Sequence, residues 1–140
     1  MNWSLEVVVV PVTDIDRAKS FYHEKLGFSV DHDTSMGDDI RIVQLTPPGS
    51  GCSIVIGKGA GLNRMEPGSQ KGLQLVVGDL WRAHSELVQR GAEISEVQVI
   101  SPEGIRAANT DDDLNNAGFV FFDDPDGNSW AIQQITSRGT

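Results

Sequence analysis

The chain has 140 residues, 39% hydrophobic and 22% charged, and carries a formal net charge of −9 from 11 basic and 20 acidic side chains. That length makes one ordinary domain with room for a real core, and the acidic balance argues against nucleic-acid backbone and anionic membrane surfaces as partners, since both need clustered Lys and Arg. Cys52 is the single cysteine, so no internal disulfide can form and a reducing compartment suits the chain. The N-terminal residues lack a basic n-region, and the apolar run at 7–10 is too short to span a bilayer; a cytoplasmic protein is expected.

In chain order, the apolar run at 7–12 reads as a strand. Asp14 then precedes Ile15, Ala18 and Tyr22, apolar at i, i+3 and i+7, which predicts a short helix capped by Asp14 with one apolar stripe facing a sheet. Gly27 suits a left-handed cap at its C-terminal end. Strands are predicted over 28–33, 40–46 and 52–56, separated by turns rich in Gly, Pro and Asp. Residues 58–71, with several glycines and Pro67, read as a linker.

The pattern then starts again. After an apolar run at 73–77, Asp79, Leu80, Arg82, Ala83, Ser85 and Leu87 repeat Asp14, Ile15, Arg17, Ala18, Ser20 and Tyr22, each pair 65 residues apart. Gly91 ends the second helix as Gly27 ends the first, and strands are predicted over 92–100, 119–122 and 130–135. The segment 101–116 interrupts this half, and its Asp111-Asp112-Asp113 run reads as a solvated loop rather than a metal site. The expected fold is α+β: two βαβββ modules in one chain forming a curved mixed sheet around a cavity. Module one covers about 1–57, the linker about 58–71 and module two about 72–137, within a single domain over 1–140.

The most specific stretch is Phe121-Phe122-Asp123-Asp124-Pro125-Asp126-Gly127-Asn128-Ser129-Trp130-Ala131, two apolar runs joined by a turn in which proline presets φ and glycine permits φ > 0. Together with the stretch from Asp14 to Tyr22 and with Leu26-Gly27-Phe28, it resembles the vicinal-oxygen-chelate superfamily. That group holds glyoxalase I, extradiol dioxygenases, fosfomycin-resistance enzymes and bleomycin-binding proteins. The resemblance implies a divalent metal at the cavity floor, held by His and carboxylate donors. The first ligand position, seven residues before the capping Asp, is Val7 here; its second-module counterpart is Gly72. The position four residues after the turn glycine is Ala131, and the pseudo-twofold places Ser53 opposite it. None of the four supplies an imidazole or a carboxylate. We therefore expect neither the usual metal nor any other cofactor.

Other donors are few. His23 and His84 fall on the helices, outside the predicted cavity. In Asp31-His32-Asp33, strand alternation puts the two aspartates on one face and His32 on the other, and a solvated strand end is favoured over a ligand site. Cys52 adjoins Ser53 and so points away from the cavity. Alternation adds Val9 and Gln133 to the inner face, and a shift of two residues from Gly72 brings in Gln74. Resemblance to the fosfomycin enzymes adds Phe119 and Phe121. The candidate ligand-binding set is Val9, Arg41, Ser53, Gln74, Phe119, Phe121, Ala131 and Gln133, with the face of Arg41 undetermined. The alternative is that these residues fill a collapsed core. Trp130 is expected under a helix, and Trp3 and Trp81 outside the cavity.

Two function classes follow. One is a metal-free binding protein, like the bleomycin-binding members, holding a small organic molecule against apolar walls with a few polar handles. The other is an enzyme of the same superfamily, a lyase, isomerase, cyclase or dioxygenase, metal-free or with an atypical metal site that includes Asp31, His32 or Gln74. Binding is favoured because the predicted inner face holds no paired acid, base or nucleophile. Pairing into a homodimer would cover exposed sheet edges.

Overall fold

Asp14 and Asp79 act as the sequence repeat requires: the first carboxylate accepts from the Arg17 amide at 3.0 Å and the second from the Arg82 amide at 3.1 Å. Each stops the strand before it and starts a helix, satisfying a donor that the helix cannot pair internally. In the computed structural model, which describes residues 1–137, the first copy runs β1 (Val7–Val9), α1 (Ile15–Ser20), a π-helical segment (Phe21–Lys25), β2 (Ser29–Met36), β3 (Ile40–Thr46) and β4 (Ser53–Lys58). The second runs β5 (Leu73–Val77), α2 (Leu80–Gln89), β6 (Gln98–Ser101), β7 (Gly104–Ala107), β8 (Gly118–Asp123) and β9 (Ser129–Gln134). Gly27 and Gly91 follow the helical segments at φ of 77° and 82°, the left-handed conformation expected of them.

The chain divides into two compact units. One comprises Met1–Gln70 with Asp124–Asn128, the other Lys71–Asp123 and the chain from Ser129.

In the first unit the sheet order is β1-β4-β3-β2, with β1 parallel to β4 and the other pairs antiparallel. Val43, Leu45, Ile54 and Ile56 point to one side and are buried with Ala18, Tyr22 and Phe28. Removing each large apolar side chain from water contributes about 1.5–3 kcal/mol, and this helix-covered side is where the first unit keeps its core. Between Val30 and His32 the β2–β3 register shifts, leaving Asp31 as an extra residue in a bulge.

The turn between β8 and β9 is held by the first unit's residues. Asp124 and Asn128 are buried. The Asp124 carboxylate accepts from the Tyr22 hydroxyl at 2.7 Å, the Asn128 side-chain amide at 2.7 Å, and the backbone amides of Asp126 and Asn128, both at 2.9 Å. Asn128 also donates to the Pro11 carbonyl at 2.9 Å and accepts from the Gln70 amide at 3.0 Å. Gly127 closes the turn at φ 94°.

The second unit has the order β5-β9-β8-β6-β7. Val120, Phe122, Trp130 and Ile132 are buried, as are Leu80 and Leu87 of α2. Trp130 stacks on Phe122 with ring centres 6.0 Å apart, on the helix side as expected. The expected strand over 92–100 shortens to β6, and the segment read as a loop contains β7, which adds a fifth strand to the sheet. The apolar residues of 92–97 do not enter the ladder; Val97 is buried instead. Beyond β7, Asp112 accepts from both terminal nitrogens of Arg106, at 2.7 and 2.8 Å, and from the Asn109 amide at 2.7 Å. The Arg106 guanidinium and then that amide lower the Asp112 carboxyl to about 2. This carboxylate fastens the loop to its own hairpin.

Candidate functional site

On the second sheet, alternation leaves one face to the helix and the other uncovered. Gln74 lies opposite Ala131, which lies opposite Phe121; Val76 lies opposite Gln133, which lies opposite Phe119. The row continues from Phe119 to Gln98 and Ala107, with Ile100 opposite Ile105 beyond them. Large apolar side chains stand in solvent here: Phe121 is 36% exposed, Ile100 38%, Val76 45% and Ile105 60%. The rings of Phe119 and Phe121 stack nearly parallel, 5.9 Å apart. Phe121 is anchored through its backbone, which exchanges two 2.8 Å hydrogen bonds with Ser95. Polar handles stand among these groups. The Gln74 amide donates to the Gln133 carbonyl oxygen at 2.5 Å, and the Gln133 amide donates to the Asn116 carbonyl at 2.8 Å. Asp123 is the ionisable residue of this face among the described strand positions, at the end beside the turn.

On the first sheet the side away from α1 carries Val7 and Val9 of β1, with the buried Ser53 and Val55 directly opposite them on β4. Ser53 is buried and its hydroxyl lies 2.6 Å from that of Thr46. The Thr46 hydroxyl in turn donates to the Asp31 carboxylate. The bulge makes this possible. Without it Asp31 and Asp33 would share a side, as alternation predicts; with it, Asp31 reaches Thr46 while Asp33 meets Arg41 and Lys19 on the side of α1. Arg41 is thus turned to the helix side. Its guanidinium grips Asp33 at 2.9 and 3.0 Å and Asp16 at 2.8 Å, so its charge is already taken. The Arg41 hydrogen bonds, then that of Lys19, hold the Asp33 carboxyl well below the usual carboxylate range, and the same pairing raises Arg41.

The side chains at the positions where the resemblance implies a metal do not fit one here. Val7 and Ala131 have no donor atoms, and the Gly72 amide is bonded to the Ser129 hydroxyl at 3.0 Å. Ser53 offers a neutral hydroxyl engaged with Thr46. Among the described residues no three His, Cys, Asp or Glu side chains gather as a metal site requires. Two of the histidines serve other surroundings: His23 donates from Nδ1 to the Phe28 carbonyl at 2.7 Å, and His84 lies on α2.

The family model described as the Glyoxalase/Bleomycin resistance protein/Dioxygenase superfamily matches residues 4–132. The chain belongs to this superfamily. Among solved structures, this superfamily member is similar to TnmS3, an antibiotic binding protein from Streptomyces sp. CB03234. The two are 30% identical over 96% of this chain and 97% of that one, with a TM-score of 0.71. A glyoxalase/bleomycin resistance protein from the same strain is 31% identical, covering 94% of this chain and all (100%) of its own, with a TM-score of 0.69. A member of the superfamily from Sphaerobacter thermophilus DSM 20745, 24% identical over 95% of this chain and 98% of its own, shares the fold with a TM-score of 0.71. No curated protein matches the chain.

Sequence reasoning passed over several residues of these faces in this superfamily member. Ile105 was hidden because β7 falls in the expected loop, Gln98 and Ile100 could have been found by alternation within the expected strand over 92–100, and Val76 by alternation from Gln74. Thr46 could have been found from the β3–β4 pairing, which sets it across from Ser53. Nothing in the local sequence announces the bulge that turns Asp31 toward Thr46.

Proposed function

We propose that this superfamily member binds a small organic molecule, without the usual divalent metal, and releases it chemically unchanged. The observation that carries this reading is the uncovered face of the second sheet. A parallel pair of phenylalanines and several exposed aliphatic side chains stand there in water, with the Gln74–Gln133 amide pair among them. Exposed apolar area of this kind, with a few fixed polar groups, suits the recognition of an aromatic or aliphatic body bearing hydrogen-bonding substituents. Phe119, Phe121 and Ala131 form the wall, and Gln74 and Gln133 the handles. Val9 and Ser53 offer corresponding contacts on the face of the first sheet away from α1. The likeness to an antibiotic binding protein at 30% identity supports the same class of ligand. The protein acts as a homodimer in the cytoplasm on this reading.

The reading favours binding over catalysis because the second sheet's uncovered face pairs no acid with a base or nucleophile. Incubating the purified protein with a panel of aromatic antibiotics, then extracting and analysing the bound fraction, tests it. Recovery of at least one compound intact and stoichiometric with the chain is expected. Conversion of the retained compound into a product would overturn the reading in favour of an enzyme.

A further inference from the structure

The face of the first sheet away from α1 holds a chain of hydrogen bonds whose direction is fixed. A carboxylate accepts and does not donate, so the Thr46 hydroxyl commits its single proton to Asp31. The 2.6 Å contact between Thr46 and Ser53 must then use the Ser53 proton, donated to Thr46 Oγ1. Ser53 Oγ is left with a lone pair to offer a further partner and no proton to donate to it. Beside it stand the apolar side chains of Val7, directly opposite, and of Val9 and Val55 farther along the same side.

We propose that Ser53 is the acceptor end of a polarity-fixed subsite that selects an N–H or O–H donor on an otherwise apolar ligand, with Thr46 and Asp31 as its positioning residues. The proposal rests on the reading that the sheet faces away from the helices bind a small organic molecule, and it adds the chemistry that one of them selects. A hydroxyl free to rotate accepts or donates as its partner requires and discriminates little. The relay to Asp31 removes that freedom, and the bulge at Asp31 is the local feature that builds the relay. A ligand presenting an acceptor at the same place would face lone pairs and leave its own group unpaired, which is the kind of mismatch that gives selectivity.

A matched pair of probes tests this: 2-naphthol, which has an O–H, and 2-methoxynaphthalene, which has only an ether oxygen. Both are titrated by calorimetry into the wild-type protein and into Asp31→Asn, Thr46→Val and Ser53→Ala. The wild type is expected to prefer the naphthol by about 2- to 13-fold, the worth of one neutral hydrogen bond. Asp31→Asn supplies an amide that can donate to Thr46, letting the relay run backwards, so the preference should vanish while the ether still binds. Thr46→Val breaks the relay and Ser53→Ala removes its acceptor, and both should lose the preference too. Asp31 is exposed, so its variant keeps the test open even if a substitution at the buried Ser53 harms folding. Equal affinities in the wild type, or a preference that survives Asp31→Asn and Thr46→Val, would overturn the subsite. If neither naphthalene binds, the small-molecule reading of this face falls and the subsite falls with it. If both bind equally, only the subsite falls.

Discussion

Gln74 and Phe121 separate affinity from stability. Gln74 is exposed, and its partner Gln133 has a second bond to the Asn116 carbonyl, so Gln74→Ala leaves no buried group unpaired. It should weaken ligand binding by about 2- to 13-fold and leave the melting temperature nearly unchanged. A sharp fall in melting temperature with binding intact would make Gln74 a structural amide. Phe121 is 36% exposed, so Phe121→Ala should cost well under the roughly 3–5 kcal/mol of a fully buried phenylalanine while costing more affinity than Gln74→Ala. Asp33 makes a separate prediction about pH. Its folded-state proton affinity is lowered by Arg41 and Lys19, so its contribution is present above the ordinary aspartate range and is lost as pH falls toward the lowered value. The stability gap between wild type and Asp33→Asn should therefore be largest above about pH 5 and close as the pH is lowered toward about 2. The gap itself should be about 1 kcal/mol or less, since the pair is partly exposed to solvent. A gap that widens in acid would contradict the assignment. The direction of Gln133 was legible by strand alternation from Ala131 and that of Gln74 by a two-residue shift from Gly72, whereas Phe119 and Phe121 were reached through the resemblance. That of Arg41 was left open, although alternation with Val43 and Leu45, both buried on the helix side, sets it.

The turn Asp124–Asn128 is the element with the densest buried polar contacts. The Tyr22 ring packs on Phe28 with ring centres 5.7 Å apart and meets Phe21 edge-on at 5.1 Å, contacts that Tyr22→Phe preserves. The variant removes the hydroxyl that Asp124 accepts, and should lower stability by about 1.5–3 kcal/mol, read by chemical denaturation. No change in the midpoint would show that the other donors to Asp124 suffice. Gly68 stands at φ +80°, and an added Cβ would come within 2.1 Å of the Asp126 carbonyl oxygen, so Gly68→Ala should also destabilise this region. Both helices, their Asp caps and the positive-φ glycines after them were legible, because capping and the i, i+3, i+7 stripe are local signals. The β7 strand and the bulge were not. Gly104–Ala107 is short and exposed at every position, so it carries no alternation to read, and the bulge arises from pairing between strands.

For the molecule as a whole, the 65-residue repeat was the decisive sequence signal, since two matching copies of a capped helix with flanking strands are hard to fit to a fold without internal symmetry. The family followed from the same residues and from the turn. The reaction did not follow, because Val7, Gly72 and Ala131 stand where the resemblance implies metal ligands. Each sheet ends in unpaired edge strands, β2 on the first and β7 on the second among them, and pairing of two chains would protect such edges. Light scattering across the micromolar range should give a dimer mass; a monomer mass throughout would refute the homodimer. On the proposed function, a small organic molecule binds the uncovered face of the second sheet without metal. Calorimetric titration of chelator-treated protein with an aromatic antibiotic retained in the panel experiment, wild type beside Phe121→Ala, tests it most directly. Stoichiometric binding is expected in the presence of chelator, with an affinity at least about tenfold weaker in Phe121→Ala, a difference of roughly 1.4 kcal/mol. Binding that appears only when a divalent ion is restored, or an affinity unchanged by Phe121→Ala, would contradict it.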